Sequence, residues 1–143
     1  MPYSPLLVKP MREELTVAGI QELLTAEDVD RWMDESSDGT ALLVVNSVCG
    51  CAAGMARPGV RAALENGPRP DHVATVFAGQ DLEATAAARG KFPDIPPSSP
   101  SMAFFKGGEL VFFLPRHRIE GRSAEEVASD LTTVFAEHSG VTA

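Results

Sequence analysis

The stretch Ala41-Leu42-Leu43-Val44-Val45-Asn46-Ser47-Val48-Cys49-Gly50-Cys51-Ala52-Ala53-Gly54 decides how the rest of the chain is read. Its first five residues are apolar without alternation, as a strand buried on both faces requires. Its last residues are small and open a segment with helical spacing that runs to about Glu65, with Val60 and Leu64 as apolar anchors. Between strand and helix sit the only two cysteines of the chain, one glycine apart. Cys49 is thus expected at, or just before, a helix N-terminus, where unpaired backbone N–H groups and the helix dipole stabilise a thiolate. The thiolate is the form that attacks a disulfide sulfur, so Cys49 is the candidate nucleophile and Cys51 the candidate resolving thiol. Gly50 gives the one-residue spacer the backbone freedom it needs. A disulfide closed over one residue is more strained than one closed over two, and strain makes it more reducible. At ~1.4 kcal/mol for each ~30 mV, a few kcal/mol moves such a pair toward the oxidising end of the redoxin range.

Working outward, Pro2, Pro5 and Pro10 predict an extended N-terminal arm over residues 1–10. A short helix follows from Met11 to about Ala18, with Pro10 near its first position and Gly19 ending it. Ile20–Leu24 reads as a short edge strand. Thr25 caps a helix carrying Val29, Trp32 and Met33 on one face, with Leu24 placed to staple against Val29. Beyond the cysteines, Pro58 lies inside the predicted helix and implies a kink. Residues 66–70 break it, His72–Ala78 is a second buried strand, and Asp81 to about Arg89 an alanine-rich helix. Ser101–Lys106 and Glu109–Leu114 form a hairpin about Gly107-Gly108. A capping box at Ser123–Glu126 opens the last helix, with Val127, Leu131, Val134 and Phe135 facing inward. Strand–helix–strand units give parallel neighbours, and the late hairpin adds antiparallel strands. The expected fold is α/β and thioredoxin-like: one domain over residues 1–143, a mixed central sheet with helices on both faces, and an extra N-terminal helical segment.

Composition narrows the partners. The 143 residues carry 20 acidic and 12 basic side chains, a formal charge of −8, which argues against nucleic acid or an anionic membrane as the main partner. No run approaches the ~18 apolar residues of a membrane span. The early charges Lys9 and Arg12 are followed by no apolar core of a secretory signal, so the expected location is the cytoplasm. In that reducing compartment a cysteine pair is better read as catalytic or metal-binding than as a staple. Structural zinc wants four ligands, and only His72, His117 and His138 are available, scattered along the chain, so no metal site is assigned.

Two further segments bear on the cysteines. Ser98-Ser99-Pro100-Ser101 sets a proline just before a strand, where thioredoxin-like proteins hold a cis-proline facing the redox pair, so Pro100 is expected to be cis. Ser47, Gly50, Ser99 and Pro100 are the supporting positions of the site. The second hairpin strand returns toward the same end, bringing Arg116, His117 and Arg118 within reach as docking groups for a carboxylate-bearing thiol or as proton-transfer aids.

Together, Val48–Gly54, Phe77-Ala78-Gly79-Gln80-Asp81, Pro97–Ser101 and Arg116–Gly121 resemble the bacilliredoxins, and Val8–Leu15 is similar to the N-terminal arm of that family. The resemblance covers nearly the whole chain. It implies a cytoplasmic thiol–disulfide oxidoreductase that removes bacillithiol from S-bacillithiolated proteins. Cys49 would take up the bacillithiol, and Cys51 or an external thiol would then resolve it. No bound cofactor is implied; bacillithiol or another low-molecular-weight thiol is the co-substrate, and the partners are S-thiolated or disulfide-containing proteins. A general disulfide isomerase or reductase using the same pair is the alternative enzyme, and a thiol sensor or metal carrier the alternative outside enzymes. Three departures from ordinary thioredoxins stand out, the first being that the two-residue spacer between the cysteines is reduced to Gly50. Trp32 lies in an earlier helix rather than before Cys49, and Ala41–Val45 has no buried carboxylate to shuttle protons to the resolving thiol.

Overall fold

The computed structural model of the protein describes residues 2–138. Helix α1 (Pro5–Thr16) begins where an extended arm was expected. The Ser4 hydroxyl accepts the Leu6 N–H, and Pro5 occupies a first-turn position that needs no N–H partner. Pro10 therefore lies inside α1 rather than at its start. Burial of Val8 and Leu15 on the inner face outweighs the one hydrogen bond that Pro10 cannot donate.

Strand β1 (Gln21–Glu22) is a two-residue edge, and α2 (Ala26–Glu35) follows it. Thr25 and Asp28 form a reciprocal capping box, each side chain bonding the other's backbone N–H at 3.1 and 3.3 Å. The leucine that reaches the core with Val29 and Trp32 is Leu23; Leu24 is half exposed, so the expected staple is displaced by one residue.

Next come β2 (Thr40–Asn46), α3 (Arg57–Glu65), β3 (His72–Phe77), α4 (Leu82–Arg89), β4 (Ser101–Lys106), β5 (Glu109–Leu114) and α5 (Ala124–His138). The sheet order is β1-β3-β2-β4-β5. The first three strands are parallel, and β4 and β5 are antiparallel to their neighbours. Gly107 and Gly108 both hold positive φ (60° and 81°), the geometry of a two-residue hairpin turn.

Alternation along β2 divides the core in two. Leu42 and Val44 face α1, α3 and α5, packing with Val60, Leu64, Phe104, Leu131 and Phe135. Ala41, Leu43 and Val45 face α2 and α4, packing with Trp32, Val76, Ala84 and Phe105. Trp32 is thus a core residue of α2. Every residue of β2 is buried, so its carboxyl end, where the cysteine loop begins, is held from both faces.

Candidate active site

Cys49 follows β2 by two residues, and its carbonyl accepts the N–H groups of Ala52 and Ala53 at 2.9 and 3.2 Å. It therefore occupies the helix-capping position anticipated from the sequence. Gly50 and Cys51 form the first helical turn. Residues Ala52–Ala56 then wind as a π-helix, closed by the Arg57 N–H on the Ala52 carbonyl. The helical run is continuous from Gly50 to Glu65, so Pro58 lies inside it as expected, and the widened turn just ahead of the proline is where the chain accommodates the missing N–H.

The two thiols are free and their sulfurs lie 2.7 Å apart. Cys49 is partly exposed and Cys51 buried, and this asymmetry sets their acidities in opposite directions. A hydrogen bond from the Cys51 thiol, assisted by backbone N–H groups of the first turn and the positive charge of Arg116, holds Cys49 below the ordinary thiol range despite some burial. Burial pushes Cys51 up first, and its bond to Cys49 and the Cys49 charge push it further. The pair is thus split into a more acidic thiol, Cys49, and a less acidic one, Cys51.

Beneath the loop lies a buried arginine. Arg57 is only 2% exposed; its guanidinium donates to Asn46 Oδ1 at 3.0 Å, the Ser47 carbonyl at 2.9 Å and Glu14 Oε2 at 2.6 Å. Asn46 Oδ1 also accepts the Ser47 N–H at 2.9 Å, and Asn46 Nδ2 donates to the Met11 carbonyl at 3.2 Å. The Ser47 hydroxyl accepts the Cys49 N–H at 3.2 Å. One cation from α3 thus fixes the backbone that presents the nucleophile, with α1 supplying the counter-charge. A charged residue in a helical segment reads as solvent-facing, so no local pattern signals this role. The contact with Glu14 spans 43 residues.

Above the loop, Cys49 opens into a cleft of about 320 Å³. Ser47 and Val48 line it from the cysteine loop, Ala78 and Gly79 from the end of β3, and Ser99 from the segment before β4. The Ser99–Pro100 peptide is cis. Ser101 pairs with Val45, which puts this peptide at the cysteine end of the sheet. Of the three basic turn residues only Arg116 lines the cleft. Its backbone N–H donates to Ser98 Oγ at 3.3 Å, and its guanidinium pairs with Glu120 at 3.0 Å. His117 lines a separate groove with Ile95 and Phe113, and Arg118 gives its carbonyl to Arg122 at 2.8 Å. Two lining residues escaped the sequence reading: Arg89, at the end of α4, and Tyr3, held by reciprocal hydrogen bonds with Gln80 at 2.7 and 3.1 Å. Among the described residues no group of three or more His, Cys, Asp or Glu side chains is placed to hold a metal ion.

Residues 3–139 match the disulphide isomerase family. The chain belongs to that family. It is 54% identical over 136 residues to a bacilliredoxin of Shouchella clausii, covering 95% of this chain and 93% of that protein. A bacilliredoxin of Halalkalibacterium halodurans is likewise 54% identical, with 95% and 94% covered. Among solved structures, a thioredoxin of Fasciola hepatica superposes with a TM-score of 0.59 at 22% identity, over 83% of this chain and all but 1% of that one. Thioredoxin O2 of Arabidopsis thaliana gives 0.55 at 15% identity, over 81% and 94%. At such identities these likenesses speak to the fold alone: it is thioredoxin-like, as the element order implied. Family membership and the capped Cys-Gly-Cys pair together make the chain a thiol–disulfide oxidoreductase. Among the described residues no helix is long and apolar enough to cross a membrane.

Proposed function

We propose that this oxidoreductase removes a small thiol, bacillithiol or a close chemical equivalent, from S-thiolated proteins in the cytoplasm. The observation that carries the reading is the asymmetry of the pair: Cys49 faces a cleft of small-molecule size while Cys51 is buried 2.7 Å behind it. The Cys49 thiolate attacks the small-thiol sulfur of the mixed disulfide. That S–S bond breaks, the target protein leaves as a thiolate, and a Cys49–small-thiol disulfide forms with no net change in oxidation. Burial still disfavours the Cys51 thiolate, but the Cys49 charge and hydrogen bond that added to it are then gone, and the positive charge of Arg116, which favours the thiolate, remains. Cys51 loses its proton to water and attacks Cys49, releasing the small thiol and leaving the pair oxidised. Alternatively, a second small-thiol molecule resolves the adduct directly. Gly50, Ser47, Ser99 and Pro100 shape the backbone around the reacting sulfurs.

Cys51→Ala protein incubated with an S-bacillithiolated protein tests this by intact mass. The expected result is one bacillithiol gained on Cys49 and a free thiol on the target, whereas Cys49→Ala gains nothing. An adduct only with protein disulfides would favour the isomerase named by the family, acting through the same pair. No adduct with any disulfide would overturn the reading.

A further inference from the structure

The cleft beside Cys49 has a charge character at odds with the rest of the molecule. The chain carries 20 acidic and 12 basic residues, yet the lining contains two arginines and no carboxylate. Arg116 already has Glu120 as a partner. Arg89 does not: among the described residues no carboxylate lies within 4 Å of it, and its hydrogen bond is to the Ser98 carbonyl at 3.4 Å. Its guanidinium is only partly solvated, and that loss of water lowers its pKa without a compensating anion. A partly desolvated cation with no counter-charge is less favourable than one that meets an anion. The space beside it is open, and at about 320 Å³ it lies at the small end of ligand pockets, roughly 300–1,000 Å³.

We infer that the cleft is a recognition site for the non-sulfur part of an acidic low-molecular-weight thiol, whose carboxylate is held by Arg89 with Arg116 beside it. The inference rests on the proposed function and adds to it the residue that reads the substrate's charge, Arg89. A carboxylate seated there accepts charge-assisted hydrogen bonds from the guanidinium while its sulfur is presented to Cys49. Tyr3, fastened by Gln80, closes the outer side of the cleft near Gly79, whose absent Cβ would stand 3.4 Å from the tyrosine ring. Neutral thiols gain nothing from Arg89, so the site selects by charge.

Two symmetric disulfides test the inference in the Cys51→Ala background: dithiodiglycolate, which carries two carboxylates, and 2-hydroxyethyl disulfide, which is neutral. With each, Cys49 displaces one thiolate and retains the other half, and intact mass follows the adduct. Arg89→Gln is expected to slow adduct formation with dithiodiglycolate about tenfold, with 2-hydroxyethyl disulfide unaffected and Arg89→Lys recovering part of the loss. The selective loss should also shrink in high salt. An equal loss with both probes would make Arg89 a structural residue, and no loss with either would remove it from recognition; both results overturn the inference and leave the proposed function standing. Failure of the parent protein to react with either probe would instead count against the proposed function, and the inference would fall with it.

Discussion

Where β2 begins, Thr40 and Asp71 satisfy each other. The Asp71 carboxylate accepts the Thr40 N–H at 3.0 Å and its hydroxyl at 3.3 Å, and Thr40 Oγ1 accepts the Asp71 N–H at 3.0 Å. Gly39 makes room, since a Cβ there would run into the Asp71 carboxylate. The Gly39 carbonyl also takes the Gly107 N–H at 3.0 Å, tying in the hairpin turn. Where β2 ends, only the groups under the cysteine loop are closed in this way, through Arg57. The residues above it, Cys49, Arg89 and Arg116, line the cleft. A cleft of about 280 Å³ opens beside Thr40 and Asp71 as well, so the two ends differ in how their polar groups are paired and not in whether they are open. One strand therefore has an end whose polar groups satisfy each other and an end that keeps interactions in reserve for a substrate. A site must leave polar groups incompletely satisfied, and a well-paired end elsewhere in the fold offsets that cost.

The sharpest way to break this contrast is Arg57→Ala, which strikes both stability and presentation of the nucleophile. Removing the buried cation leaves Asn46 Oδ1, the Ser47 carbonyl and Glu14 without it. Because Glu14 is partly exposed and can rehydrate, the expected cost is about 2–4 kcal/mol by urea unfolding. Loosening the Asn46–Cys49 backbone should also slow Cys49 adduct formation by about tenfold to a hundredfold. Unchanged adduct formation in a protein that still folds would separate Arg57 from the site.

Asp71→Ala probes the self-paired end. Two Thr40 donors lose their acceptor, and a loss of about 1–3 kcal/mol is expected in the same unfolding experiment. Adduct formation at Cys49 should stay at the parent rate, and a slower reaction would show that the two ends are coupled through β2. Ser123→Ala removes a cap from α5 remote from both ends of the contrast. It should cost about 1 kcal/mol and leave the thiol chemistry alone.

The sequence and the structure agree most closely where local pattern suffices. The apolar run of β2, the glycine pair of the hairpin and both capping boxes are written in adjacent residues, and their boundaries follow within a residue or two. The Cys-Gly-Cys motif, the strand before it and the helix after it could be placed for the same reason. The prolines that differ from the expectation are Pro5, which starts α1 where an arm was expected, and Pro10, which lies inside it; whether a proline breaks or starts a helix depends on the residues packed around it. Arg57, Arg89 and Tyr3 were illegible because their roles depend on distant partners: Glu14 lies 43 residues from Arg57, and Gln80 lies 77 from Tyr3. The basic turn was legible as a unit, but which of its three side chains meets the cysteine cleft depends on its short helical turn, Arg116–Arg118, and only Arg116 does.

The roles of Cys49 and Cys51 depend on the two neighbouring thiols being shifted in opposite directions. The most direct measurement is the pH dependence of iodoacetamide alkylation of the reduced protein, resolved by cysteine with mass spectrometry. Cys49 should alkylate first, with a midpoint below that of an ordinary thiol, because lowering a pKa moves the onset of thiolate to lower pH. Cys51 should lag, with its midpoint above the ordinary value. Alkylation of Cys51 first, or of both thiols together at the ordinary midpoint, would contradict the assignment of Cys49 as nucleophile and Cys51 as resolving thiol.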